Sequence, residues 1–326
     1  MRLRRSDLTR PGYGRRRRGR GVVFLAMDGT PIGDPAETRR LRDLVIPPAW
    51  RDVWISPHPR GHIQATGIDA AGRKQYLYHP EWRRQRDEAK FDHVLDVARH
   101  LPDLRKRVAD HLTARGLCRA RVLAVMTRLL DMGMFRVGGD EYAVGEEPTF
   151  GLATLRPEHA RCKGGYVVLE FPAKGGIEQV RHVESDDVCA VLTSLRRRRR
   201  GADRLFGYWA GRQWRDVRAD EINEYLRETS GTDMTAKDFR TWHATVLAAR
   251  LLAVAGPVGS ERAGRRAVAG VMREVAEMLG NTPAVARASY VHPRVVDLYV
   301  DGATADVDLT TPTDRAEAAV LKLLVD

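Results

Sequence analysis

The stretch GRKQYLYHPEWRRQRDEAKFDHVLDVARHL, Gly72 to Leu101, changes its hydrophobic period partway along. Up to Tyr78 the pattern is short and alternating, the period of a strand whose side chains point to opposite faces in turn. From about Glu88 the spacing lengthens. Phe91, Val94, Leu95, Val97 and Ala98 fall on one stripe of a helix. The change predicts a boundary near residue 87, with a β-rich portion before it and a mainly helical portion after it.

Upstream, GVVFLAMDGTPI begins at Gly21 as an apolar run stopped by Asp-Gly, a strand followed by a tight turn. DVWISPHPRGHIQATGIDAAGRKQYLYHP, Asp52 to Pro80, alternates at Val53/Ile55, His62/Gln64 and Gln75–Tyr78 between Pro, Gly and Asp breaks. With a short helix near Pro35–Leu44, this predicts a small twisted antiparallel sheet over 21–87. Residues 1–20 are rich in Arg and Gly with little to bury, and predict a flexible basic arm.

Downstream, helical spacing recurs at Leu104–Leu112, Val122–Leu130, Asp187–Leu195, Ala219–Thr229, Ala236–Ala255 and Gly264–Leu279. YVVLEFPAKGGIEQVRHV interrupts as two strands around a Pro/Gly turn. GNTP then supplies a helix C-cap, a Thr N-cap and a proline at the first helical position, so Tyr290 falls at the end of a short helix starting at Thr282. The tail turns amphipathic from Thr313. The expected fold is α+β: a small antiparallel β-rich N-terminal domain, then a larger mainly α-helical domain over 88–326 with a small β-sheet.

The sequence has 326 residues, 43% of them hydrophobic, enough for sizeable cores. Its 55 Lys+Arg exceed 43 Asp+Glu for a net charge of +12, which favours a polyanionic partner. Three cysteines without a C-x-x-C pair suggest neither a disulfide framework nor a zinc knuckle. The basic N-terminus lacks a following apolar segment, and Val246–Val254 is too short to span a bilayer, so a cytoplasmic, nucleoid-associated protein is expected. Walker A, G-x-G-x-x-G, H-E-x-x-H and G-x-S-x-G patterns are absent. His58, His62 and His79 read as surface or DNA-facing, and the run Arg196–Arg200 as a solvated loop.

What stands out is a set of cations in punctuated places. Arg136 follows an apolar helix just before Gly138–Gly139, and Lys174 tips the PAKGG hairpin. TAKDFRTWHATVLAA opens a helix with Thr235 as N-cap and Asp238 at its third position, and puts Arg240 beside Phe239 and Trp242. An arginine in apolar, aromatic surroundings needs an anion, which Asp238 or a phosphate could supply.

In this order the motifs GRKQYLYHP, FRVGGDEYA, FGLATLR, KDFRTWHATVLAA and LGNTPAVARASYVHP resemble the type IB DNA topoisomerases, especially their compact bacterial and poxvirus-like branch, over about residues 21–300. The resemblance implies the catalytic core shared with tyrosine recombinases, with Tyr290 as nucleophile, Arg136 and Arg240 around the scissile phosphate, Lys174 as general acid and Asn281 bonded to a phosphate oxygen. It implies DNA contacts from Gln75, Tyr76, Tyr78, Tyr142 and Lys237. It also implies a monomer closing as a two-domain clamp on duplex DNA, with no metal, no ATP and no other cofactor. Two guanidiniums suit a phosphoryl transfer, because they contact both nonbridging oxygens and stay charged. A tyrosine recombinase usually carries an H-x-x-R pattern in the second arginine's helix, where this chain reads KDFRTWHATVL. A non-catalytic DNA-binding relative is opposed by the complete Arg136, Lys174, Arg240 and Tyr290 set. The place of Tyr290, between Gly/Pro punctuation and Pro293, further suggests a segment able to move into the site when DNA is clamped.

Overall fold

The computed structural model describes residues 1–19, 21–198 and 202–326, and the chain divides into two compact units, Met1–Lys90 and Phe91–Asp326. In the first, β1 (Gly14–Arg18) pairs antiparallel with β2 (Gly21–Leu25), and α1 (Pro35–Asp43) starts from the Asp34 cap. β3 (Arg51–Ile55), β4 (Ile63–Ile68) and β5 (Lys74–Tyr78) form an antiparallel sheet with β4 central. The core of this unit is Phe24, Leu41, Ile46, Ile55 and Ala65.

The first residues do not form a free arm. Ser6 and Tyr13 bond to His62, Ile63 and Ile55, and the Arg15 guanidinium donates to the carbonyls of Ile46, Pro47 and Trp50. The charged run reads as disordered, yet one arginine spends its donors on main-chain carbonyls and so fastens the strand. Likewise His62 accepts the Ser6 N–H and meets Trp82 edge-on, a structural role rather than a surface one.

α2 (Pro80–Leu112) is one continuous helix where the sequence suggests two. Pro102 removes a ladder donor and would break an isolated helix. Here Leu101, Leu104 and Val108 extend the buried stripe of Val94, Val97 and Ala98, so burial on both sides of the proline holds the helix together.

The second unit adds α3 (Arg119–Gly133), then 3-10 turns at Asp140–Tyr142, Leu152–Thr154 and Pro157–His159. β6 (Ala160–Lys163), β7 (Tyr166–Ala173) and β8 (Ile177–Glu184) make its antiparallel sheet, with β7 central. α4 (Asp186–Arg198) leads to the hairpin of β9 (Gly207–Ala210) and β10 (Gln213–Asp216). The helices α5 (Ala219–Ser230), α6 (Ala236–Ala255), α7 (Glu261–Leu279), α8 (Pro283–Ser289), α9 (Pro293–Val300) and α10 (Thr313–Val325) follow. α6 is buried on almost every side and forms the axis of this core. No helix among the described residues is long and apolar enough to cross a membrane.

The arginine run is not a plain loop. Arg196 to Arg198 close α4, and Arg198 lies over Trp209 and Trp214, 4.3 and 5.3 Å from their ring centres, so its charge faces two aromatic rings. Arg199 and Arg200 lie outside the described residues.

Candidate active site

Three local devices position the site. The first is the segment after α3. Met134 ends that helix in the left-handed conformation and turns its carbonyl to the Arg240 guanidinium. Arg136 follows in extended backbone, where its carbonyl accepts the Leu152 N–H and Val137 accepts that of Ala153. The two backbones touch at Gly138 and Gly151: a Cβ on Gly138, which has φ of 83°, would lie 2.7 Å from Gly151 Cα. FRVGG and FGLATLR are therefore two sides of one close approach that fixes Arg136.

The second device is the start of α6. Thr235 N and Oγ1 both donate to Asp238 Oδ2 at 2.8 Å, and His93 Nε2 lies 3.3 Å from the same oxygen. The capping box takes up this carboxylate, so Asp238 is not the counter-ion of Arg240. The third is the turn between α7 and α8. Gly280 adopts φ of 60°, Thr282 Oγ1 caps the Val285 N–H, and α8 ends at Tyr290.

These devices bring four of the predicted residues together. Arg136 Nη2 donates to Asn281 Oδ1 at 2.7 Å and to Gly280 O at 3.0 Å. Arg240 Nη2 donates to Leu279 O at 2.9 Å, and its Cζ lies 5.2 Å from the centre of the Tyr290 ring. Arg240 is 4% exposed, and neither arginine forms an ion pair among the described residues. Burial, then the charge of Arg136, lowers the Arg240 guanidinium to about 10, and burial lowers Arg136 as well. Both stay charged at neutral pH. Buried Arg240 Nε and Asn281 Nδ2 have no hydrogen-bond partner among the described residues. Two under-satisfied cations with spare donors make a cradle for an anion.

Tyr290 is held at this cradle. Burial pushes its phenol upward, but the charge of Arg240 and its hydrogen bond, then Arg136 and Lys237, outweigh burial and leave the phenol below its ordinary value. Tyr290 thus lies against the arginines in this structure, which counts against a segment that has to move into the site. Its main chain explains why: Tyr290 N and Val291 N both bond to Ala286 O, and Thr245 Oγ1 lies 3.2 Å from Tyr290 O.

The remaining predicted residues stand apart. Lys174 is exposed at the β7–β8 tip, followed by Gly175 and Gly176 at positive φ, and bonds to no described side chain. Lys237 is exposed on the first turn of α6, near enough to act on Tyr290. Tyr142 is 55% exposed on its 3-10 turn. In the first unit Tyr76 and Tyr78 stack with ring centres 6.0 Å apart, whereas Gln75 faces the other side of β5 and donates to Asp69 at 2.8 Å.

The sequence reading missed the support beneath the site. His243, one turn after Arg240 on α6, lies 3.1 Å from Asp131 and 3.6 Å from Glu317, and Arg105 binds both carboxylates. The i, i+3 spacing of Arg240 and His243 was the available signal; the partners come from α2, α3 and α10. Among the described residues no grouping of three or more His, Cys, Asp or Glu is placed to hold a metal ion.

The family described as eukaryotic DNA topoisomerase I, catalytic core, matches residues 79–305, and bacterial DNA topoisomerase IB, N-terminal domain, matches 21–69. The chain belongs to the type IB DNA topoisomerases, DNA-binding isomerases. It is similar to the DNA topoisomerase 1B of Acanthamoeba polyphaga mimivirus, 28% identical over 299 residues that cover 88% of this chain and 87% of that protein. The strand-exchange alternative is not favoured by these matches.

Proposed function

We propose that the four clustered residues carry the topoisomerase chemistry, with Tyr290 as nucleophile. The observation that carries this is the placing of a lowered phenol against two guanidiniums, Arg240 buried and Arg136 half-buried, that have no acid partner among the described residues. A DNA phosphate would supply the missing anion. Arg136 and Arg240 hold its nonbridging oxygens and meet the charge that grows in the transition state, and Asn281 Nδ2 adds a neutral donor. The Tyr290 phenol gives up its proton to solvent water and its oxygen attacks phosphorus, the bond to the 5′ oxygen breaks, and Lys174 protonates that oxygen as it leaves. The product is a 3′-phosphotyrosyl link and a free 5′ hydroxyl.

The bond formed resembles the bond broken, so attack by the 5′ hydroxyl reverses the step without ATP. Between the two steps the free end turns about the intact strand, which relaxes supercoils of either sign. Tyr76, Tyr78 and neighbouring Gln75 in the first unit, with Tyr142 and Lys237 in the second, contact the duplex, and a monomer closes as a clamp around it. Phosphate contacts dominate such binding, so it weakens steeply with salt. The bacterial-type N-terminal match supports a cytoplasmic, nucleoid-associated place.

Plasmid relaxation in EDTA without ATP, followed by denaturant trapping, tests this reading. The natural chain relaxes both signs and leaves a covalent adduct mapping to Tyr290, and Tyr290→Phe does neither. Relaxation by Tyr290→Phe would overturn the assignment.

A further inference from the structure

The last carbonyls of a helix have no partner within it, and the negative end of the helix dipole favours cations there. At the end of α7 three successive carbonyls each accept from a different arginine. Leu279 O takes Arg240 and Gly280 O takes Arg136, as described above. Met278 O takes Arg181 Nη2 at 2.6 Å. Arg181 lies on β8, the return strand of the hairpin that bears Lys174, and has no carboxylate partner among the described residues.

Beyond its pairing with β7, the strand has little side-chain burial to hold it. Alternation puts Gln179, Arg181 and Val183 on one face of β8, opposite Phe171, Leu169 and Val167 of β7. Only Val183 of β8 is buried; Ile177 and Val180 are among the exposed apolar residues, and the tip is Lys174-Gly175-Gly176. Gln179 rests on the same helix end: a Cβ on Gly280 would lie 3.2 Å from Gln179 Nε2 and 3.7 Å from Arg136 Nη1. Glycine at 280 therefore lets β8 approach the arginine cradle.

We propose that Arg181 is a positioning residue for strand cleavage, latching β8 to the α7 terminus so that Lys174 is registered against the turn that fixes Arg136 and Arg240. This rests on the reading of Lys174 as the proton donor to the leaving 5′ oxygen. Arg181 touches no reacting atom. It shortens the lysine's search by removing the swing of a strand that has no buried anchor beyond Val183.

The test uses single-turnover cleavage of a duplex with either the ordinary 5′ oxygen or a bridging 5′ sulfur at the scissile phosphate. A thiolate, with a pKa of about 8.5, leaves without a proton, whereas an alkoxide does not. Arg181→Ala slows cleavage of the oxygen substrate on the order of 10- to 100-fold, and the sulfur substrate restores it to near the natural rate. Arg181→Lys, which keeps a donor, recovers part of the oxygen rate. Adding Arg181→Ala to Lys174→Ala slows the oxygen substrate no further. If Arg181→Ala does not fold, Arg181→Met keeps the aliphatic stem and carries the same comparison. An equal defect on both substrates would place Arg181 on the phosphate or the fold and overturn the proposal, with the lysine reading intact. Failure of sulfur to rescue Lys174→Ala itself would remove that reading, and the proposal with it.

Discussion

Arg105, half-buried, and Arg240, buried, are both guanidiniums set into the second unit, and they are opposite in kind. Arg105 is clasped by Asp131 and Glu317, with N–O distances of 2.7 and 2.5 Å. Burial works against its charge, but the two carboxylates more than offset that and raise it well above the ordinary arginine value. Arg240 bonds to main-chain carbonyls, has Tyr290, Arg136 and Arg181 acting on it and no carboxylate partner among the described residues, and falls to about 10. The first charge is satisfied within the chain and belongs to its stability. The second has no carboxylate partner among the described residues and, on the proposed function, serves the chemistry.

The same substitution at the two positions separates these roles. Arg105→Met strands two buried carboxylates and lowers unfolding stability by about 3–5 kcal/mol, read from the urea midpoint, while cleavage per folded molecule holds. Burial raises the Asp131 carboxyl, but Arg105 and His243 pull it far below its ordinary range. Its contribution is thus present above about pH 4 and lost as pH falls toward the depressed value, so the deficit of Arg105→Met narrows in acid. Arg240→Met keeps the aliphatic stem and leaves the midpoint near its natural value. It slows cleavage about 10²–10³-fold. Equal losses of stability at both positions would dissolve the distinction.

Asn281→Ala removes a neutral partner of Arg136, and costs about 1–2 kcal/mol in the cleavage barrier, roughly tenfold in rate. A loss as deep as that of Arg240→Met would mean that Asn281 does more than donate one bond. The smallest effect is expected at Lys237, exposed but acting on Tyr290. Removing a cation that favours the phenolate raises the phenol's pKa, so Lys237→Ala moves the rising limb of the cleavage rate to higher pH. On the alkaline side of that limb its rate approaches that of the natural chain.

Local signals carried much of this architecture. α6 begins and ends where the Thr235 cap and the following glycine place it, β7 and β8 flank the PAKGG turn, and α8 starts at the Thr282-Pro283 cap. Each is written within a few residues, so the sequence shows it. Contacts between distant segments are not written locally. Asp238 stood open as a counter-ion for Arg240 until Thr235 and His93 were seen to occupy it. Pro102 reads as a stop because the core that overrides it comes from elsewhere in the chain. The arginine-rich start reads as disordered because its acceptors are carbonyls some thirty residues on. The grouping of Arg136, Arg240, Asn281 and Tyr290 was visible only through resemblance; composition and periodicity place each of them separately.

Thr245 joins these threads. Its buried hydroxyl lies 2.8 Å from Thr241 O and 3.2 Å from Tyr290 O, and accepts the His292 N–H at 3.1 Å. One side chain of α6 thus clips the main chain on both sides of Val291, five residues from Arg240 on the same helix. With Tyr290 as the proposed point of attachment, a duplex turning while joined to it would exert torque on that link. The clip passes this load into a 20-residue helix at the centre of the unit rather than into a loose loop. The linked tyrosine then behaves as a mounted bearing, and the broken end is returned to the place from which it was cut.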